Sequence, residues 1–163
     1  MNDFRCRLAR PAELGAYYDL RREIFCHEQR LFAGSDRDAV DRHAHPIVCV
    51  GEGRVVGVVR IWEEAPGRWW GGRLGVQREL RTVGAIGRWL VQAAVSTARA
   101  WGASDFRATV QLSSVPLFRR LHWRSLEELD LLGRRHHLMQ ADLERYAPRA
   151  EVRPLRPSCD EAA

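Results

Sequence analysis

The chain contains no lysine: every one of its 26 Lys+Arg positions is arginine. A Walker phosphate loop needs a lysine after its last glycine and is therefore excluded. The dinucleotide fingerprint is missing too, because three glycines at fixed spacing and an acidic residue closing the next strand are not found. Cysteine is sparse. Cys6, Cys26, Cys49 and Cys159 lie far apart with no Cys-x-x-Cys spacing, which argues against a disulfide framework or a zinc site. Cys6 and Cys49 sit in strand-like runs and read as small buried apolar groups. Apolar runs of membrane-spanning length are absent, so no membrane association is expected. The opening MNDFRCRLAR lacks the apolar stretch of a signal peptide, which implies a cytoplasmic protein.

What is present suits one globular domain. The 163 residues are 45% hydrophobic and 29% charged, enough for a core without metal or disulfide staples. The formal charge is +5, but the arginines are spread along the chain instead of gathered on one arm or helix. A cleft for a polyanionic cofactor accounts for this charge, and no nucleic-acid partner is expected. His43 and His45 have metal-ligand chemistry, yet no third ligand follows at suitable spacing, and no metal is expected.

The most informative stretch runs from Trp69 to Trp101. Arg73-Leu74-Gly75-Val76 reads as a strand running into a turn. From Ala85 to Trp101, apolar residues at Ile86, Leu90, Val91, Ala94, Val95 and Ala98 recur on one helical face. Between them lies a polar, arginine-rich loop ending at Gly84. A strand, a glycine-bearing turn and a helix N-terminus form an anion site: unpaired N–H groups point outward and the helix dipole adds positive charge.

The remaining chain reads as strands and short helices. Phe4, Cys6 and Leu8 alternate with arginines in a first strand, and a helix is expected from about Pro11 to Glu28. Residues 30 to 46 form a polar loop with one short helix. Pro46–Val50 and Arg54–Trp62 make a hairpin around Gly51-Glu52-Gly53. Glu63 to Gly67 is a second turn, and Trp69–Val76 a third antiparallel strand. Gly102 ends the long helix, and Phe106–Val110 is a fifth strand, parallel to its predecessor through the right-handed crossover. A short helix over residues 116–121 and strands at about Trp123–Leu132 and Arg135–Leu143 complete it. Beyond Tyr146, Pro148, Pro154 and Pro157 stand among charges without periodicity; 1–146 reads as the domain and 147–163 as a flexible tail.

Arg81-x-x-Gly84 followed by Gly87 resembles the acetyl-CoA loop of the GNAT family of N-acyltransferases. The family's usual form is Gln/Arg-x-x-Gly-x-Gly/Ala; here Ile86 takes the sixth position and the glycine comes one residue late. Arg22-x-x-Phe25-x-x-Glu28-Gln29 resembles the end of the first helix in a subset of these enzymes. Leu117-Phe118-Arg119-Arg120-Leu121-His122-Trp123 is similar to the second signature, Leu-Tyr-x-x-Leu-Gly-Phe. The resemblance covers roughly residues 4 to 143. In its Glu28-Gln29, Leu121–Leu126 and His136–Met139 runs, it is most similar to a subfamily associated with nitrogen-starvation gene clusters.

The resemblance implies an α+β fold in α/β/α layers, the acyl-CoA N-acyltransferase fold, with a mixed, mostly antiparallel sheet and a splayed central strand pair. It implies transfer of an acetyl group from acetyl-CoA, the acyl-donor substrate, to a primary amine of a small molecule by direct attack. A catalytically degenerate CoA-binding protein is the alternative, and pairing of members through C-terminal strands makes a homodimer an expectation. Backbone groups of Leu74, Gly75 and Val76 would hold pantetheine and polarise the carbonyl. Arg81, Thr82, Val83, Gly84, Ala85, Ile86, Gly87 and Arg88 would take the pyrophosphate. Phe118 replaces the family's usual tyrosine at the cofactor, and a phenyl ring cannot protonate the departing thiolate. Glu28 is the expected general base and His122 the expected acid. Of His136 and His137, strand alternation lets only one face the pocket.

Overall fold

The computed structural model describes residues 3–82 and 84–149. Seven strands form one sheet: β1 (Phe4–Leu8), β2 (His45–Gly51), β3 (Arg54–Ala65), β4 (Arg68–Val76), β5 (Asp105–Gln111), β6 (Trp123–Leu131) and β7 (Arg134–Ala141). Their spatial order is β1-β2-β3-β4-β5-β7-β6. Every pair is antiparallel except β4 with β5. The α-helices are α1 (Leu14–Arg22), α2 (Ala85–Ala100) and α3 (Val115–Arg120).

Alternation along the strands assigns the two faces. Ile47, Cys49, Val59, Ile61 and Trp69 join Ile86, Leu90, Val91, Ala94, Val95 and Ala98 of α2 in the larger core. Val48 and Val58, one residue out of phase, pack with Tyr17 of α1 in the smaller one. The sheet is thus sandwiched by α1 on one side and α2 on the other. The expected α2 face is the buried one, and each fully buried aliphatic side chain on it stabilises the fold by roughly 1.5–3 kcal/mol. At Gly57 a Cβ would lie 2.7 Å from Leu90 Cδ1, so the glycine sets how closely α2 approaches β3.

Several expected boundaries change. The run from Pro11 to Glu28 is continuous but of three kinds: a 3-10 turn over Pro11–Glu13, then α1, then a π-helical turn over Glu23–Glu28. In the last, Gln29 N–H reaches back five residues to the Ile24 carbonyl at 2.9 Å. Such a widened turn re-aims the side chains after it. The turn expected at Glu63 to Gly67 is confined to Pro66-Gly67, because Trp62 pairs with Trp70 and Glu63 with Trp69 across the hairpin. Cys6 and Cys49 face each other in register across β1 and β2. Of the tail, only 147–149 is described, and Arg149 N–H donates to the Ser96 carbonyl at 3.3 Å. Cys159 and the rest of the tail expectation lie outside the described residues.

Candidate active site

The parallel pair supplies the opening. β4 and β5 are bonded only at their start, where Arg68, Trp69 and Trp70 register with Asp105, Phe106 and Arg107. Beyond that point they part, as the expected splay requires. On the other edge of β4 the register slips, so that Val58 to Arg60 of β3 oppose Gly72 to Gly75. Arg73 adopts the left-handed conformation at φ 53° within this bulge. A bulge bends its strand and re-aims the backbone, here away from β5. Gln77 N–H donates to the Val56 carbonyl at 2.8 Å. By strand alternation Gly75 therefore also faces β3, while the amides of Leu74 and Val76 face the gap. Gly75 is a correction: its amide is turned from the gap, and its Cα packs under Ile24 and Phe25.

A cavity of about 570 Å³ occupies the split, with walls from both faces of the sheet. On the α2 side it meets Val91, Ala94, Val95, Ser113, Ser114 and Phe118; on the α1 side it meets Phe25, Phe32, Arg60, Trp62, Arg73 and His136. Leu74 and Phe118 both line it. Phe118 is buried edge-on against Trp123, at 5.0 Å between ring centroids.

The glycine loop leads from the turn over Arg78–Leu80 into α2. Arg81, Thr82, Gly84 and Arg88 are exposed, and Ala85 and Gly87 half-buried, beside the start of α2. Gly84 is the N-cap and brings no side-chain cap, leaving the first amides of α2 without a side-chain acceptor. Val83 lies outside the described residues. Ile86 departs from the expectation: its side chain is fully buried against Gly57, so only its backbone remains for a ligand. Arg81 is already engaged. Its Nε donates to the Val76 carbonyl at 3.0 Å and a terminal nitrogen to Glu28 Oε2 at 2.5 Å.

That bond bears on one of the two expected catalytic groups. Glu28 is tied to Arg81 and is not among the residues lining the cavity. His122 is exposed at φ 68° and lines a separate depression with Ser104, Gln140, Asp142 and Arg145. The structure brings neither to the split. His122 occupies a helix-ending left-handed position, which turns its side chain from Phe118. His45 meets Trp101 edge to face at 4.9 Å between centroids, and among the described residues no cluster of three metal-ligating side chains exists.

A buried charge network not legible in the sequence lies behind the α1-side wall of the cavity. Arg21, not the motif's Arg22, is fully buried; Arg22 is exposed. Arg21 Nε donates to Asp36 at 2.7 Å and its two terminal nitrogens to Asp41 at 2.6 and 3.0 Å. Arg60 forks onto Asp38 at 2.7 and 3.0 Å, and Arg73 reaches Asp36 and Asp38. Three guanidinium groups thus meet three carboxylates of the loop over residues 30–44, fixing Leu31 and Phe32 at the cavity. Burial alone would lower the pKa of Arg60; its bonds to Asp38 and Asp41 outweigh this and raise it. Burial, then repulsion by Arg60 and Arg21, lowers that of Arg73. The available signal was three acids within SDRDAVD, a pattern that solvated loops share.

Asp38 titrates below the ordinary carboxylate range, chiefly because Arg60 donates to it. For Asp41, burial pulls upward, but hydrogen bonds from Arg21 and the Asp38 amide hold it well below that range. Carboxylates depressed this way contribute stability that is complete above their unfolded pKa, about 3.9, and is lost as pH falls toward the folded values. The melting temperature should therefore fall steeply below about pH 4, and more shallowly in Asp41→Asn. A melting temperature constant between about pH 5 and 3 would contradict this assignment.

A mostly antiparallel sheet, split at its one parallel pair beside an uncapped helix N-terminus, defines the acyl-CoA N-acyltransferase fold. The chain belongs to the acetyltransferase (GNAT) family, which matches residues 8–123. Among solved structures, Escherichia coli ElaA is similar at a TM-score of 0.74 and 19% identity, over 87% of this chain and 100% of that one. An acyl-CoA N-acyltransferase from Pseudomonas aeruginosa is similar at 0.70 and 20%, over 85% and 99%. A CoA-dependent acyl-homoserine lactone synthase, BjaI, solved with SAM and isopentyl-CoA, is similar at 0.70 and 18%, over 81% and 76%. No curated protein matches the sequence. The α+β fold expectation holds, as does CoA-dependent acyl transfer as the chemistry of the family.

Proposed function

We propose that this protein transfers an acetyl group from acetyl-CoA to a primary amine of a small molecule, by direct attack in a ternary complex. The observation that carries this is the cavity with walls on both faces of the sheet. Pantetheine enters from the α2–α3 side and pairs with the amides of Leu74 and Val76, as an added strand would. The pyrophosphate lies at the start of α2. The acceptor comes from the α1 side, among Phe25, Phe32, Trp62 and Trp70, which suits a small organic amine. Holding both reactants in one split converts a bimolecular step into an intramolecular one. Further likeness to the nitrogen-starvation subfamily rests on the runs quoted above and names no acceptor.

Two measurements test this. Millimolar acetyl-CoA should raise the melting temperature, and thiol release should follow addition of a primary amine from a panel. No thermal shift would count against the reading. A shift without turnover on any amine would favour a degenerate CoA-binding protein, the alternative that Phe118 supports by its inability to protonate a thiolate. A longer acyl donor is the second enzymatic reading, favoured by the apolar walls at Val91, Ala94 and Val95; comparing chain lengths separates it from the first.

A further inference from the structure

We infer that His136 is the general base that deprotonates the acceptor amine, an assignment that rests on the acyl-transfer reading above. Its position follows from register. His136 is opposite Gln111, so the two share a face of the sheet, and Gln111 Nε2 donates to Gln29 at 2.9 Å on the α1 side. That is the acceptor side, shared with Arg60 and Trp62. His137, one residue on, points the other way and meets Ser125 Oγ at 2.8 Å.

The tautomer is fixed by chemistry. His136 Nδ1 lies 2.9 Å from the Arg134 carbonyl. A carbonyl only accepts, so Nδ1 carries the hydrogen and Nε2 the lone pair. Nε2 has no protein partner among the described residues, and His136, a residue 7% exposed, lines the cavity. The anchor is itself held: the Arg134 guanidinium donates to the Gln29 carbonyl at 2.5 Å. A ring orientated through one nitrogen with the other free beside the reacting centre is the arrangement general-base catalysis requires.

The competing groups are engaged or remote. Glu28 is paired with Arg81 and His122 is at another depression. Glu64 borders the cavity but is exposed and accepts the Trp70 indole N–H at 2.6 Å.

In the step proposed, Nε2 takes one proton from the acceptor ammonium. The amine lone pair so released forms the C–N bond at the thioester carbonyl. The C–S bond then breaks with its electron pair going to sulfur, and the nitrogen's surplus proton converts the thiolate to free CoA. His136 returns its proton to water. The sum is ammonium plus thioester giving amide, thiol and one proton.

The test is His136→Asn, whose side-chain amide can still donate to the Arg134 carbonyl but has no basic nitrogen. Thiol release with the best alkylamine of the panel should fall about 10²-fold or more. With hydroxylamine, largely unprotonated at neutral pH, the loss should shrink to a few-fold, and the acetyl-CoA thermal shift should persist. Unchanged turnover of the alkylamine would overturn the assignment. Equal losses with both nucleophiles would also overturn it, since they would mark a packing role. No turnover of any amine by the native protein would instead overturn the acyl-transfer reading, and the base with it.

Discussion

Replacing Gly84 with tryptophan is expected to abolish the rise in melting temperature that acetyl-CoA produces, while leaving the free protein's melting temperature nearly unchanged. The two halves have separate causes. Gly84 has φ −59°, which any residue adopts, and an added Cβ would meet nothing within 4 Å. An exposed substitution of this kind changes stability by about 0.5 kcal/mol or less. The ligand, however, has to come close to the first amides of α2, and an indole at the N-cap fills that space. At a hundredfold excess over Kd, a ligand stabilises by about 2.7 kcal/mol, or roughly 5–10 °C for a chain of this size. Differential scanning fluorimetry with and without acetyl-CoA reads both halves. A full-sized shift in the variant would mean that the phosphates bind elsewhere.

Arg21→Met should lower stability by roughly 3–5 kcal/mol, the loss typical when one partner of a buried ion pair is removed. Arg21 is 0% exposed and donates to Asp36 and Asp41, which are 2% and 9% exposed. Methionine preserves much of the stem's packing, so the loss reports the carboxylates left without their partner. Arg60 and Arg73 soften it, because each keeps a bond to one of those acids. In urea the midpoint should fall by about 1 M or more, given typical slopes of roughly 1–3 kcal/mol per molar. Arg22→Met, at the exposed motif position, should stay within about 0.5 kcal/mol. Equal effects at 21 and 22 would refute the network's role in holding the loop over residues 30–44.

The features readable in sequence were those set by local periodicity. The 3.6-residue recurrence in α2 identified Ile86, Leu90 and Val91 as core, and Gly51-Glu52-Gly53 marked the first hairpin. The splay of β4 from β5 was legible only through resemblance, because strand pairing is decided by the Arg73 bulge and by what packs on either side. Arg21 was missed for a related reason. Its partners are 15 and 20 residues away, and a polar loop of aspartates looks the same whether it meets water or guanidinium. Ile86 belongs to the ligand loop by its place in the motif, but it also opens the apolar stripe of α2, and burial of the stripe decides its orientation. Alternation foretold that only one of His136 and His137 could enter the cavity. Which one depended on the register with Gln111, a tertiary fact.

The split between β4 and β5 is the feature on which the functional account depends. Its most direct test is a crystal structure of the protein soaked with acetyl-CoA. Pantetheine should lie between those strands, with the thioester oxygen about 2.7–3.1 Å from the amide nitrogen of Leu74 or Val76, and the phosphates at the start of α2. Strands zipped together along their whole length, with acetyl-CoA bound at another surface, would contradict it.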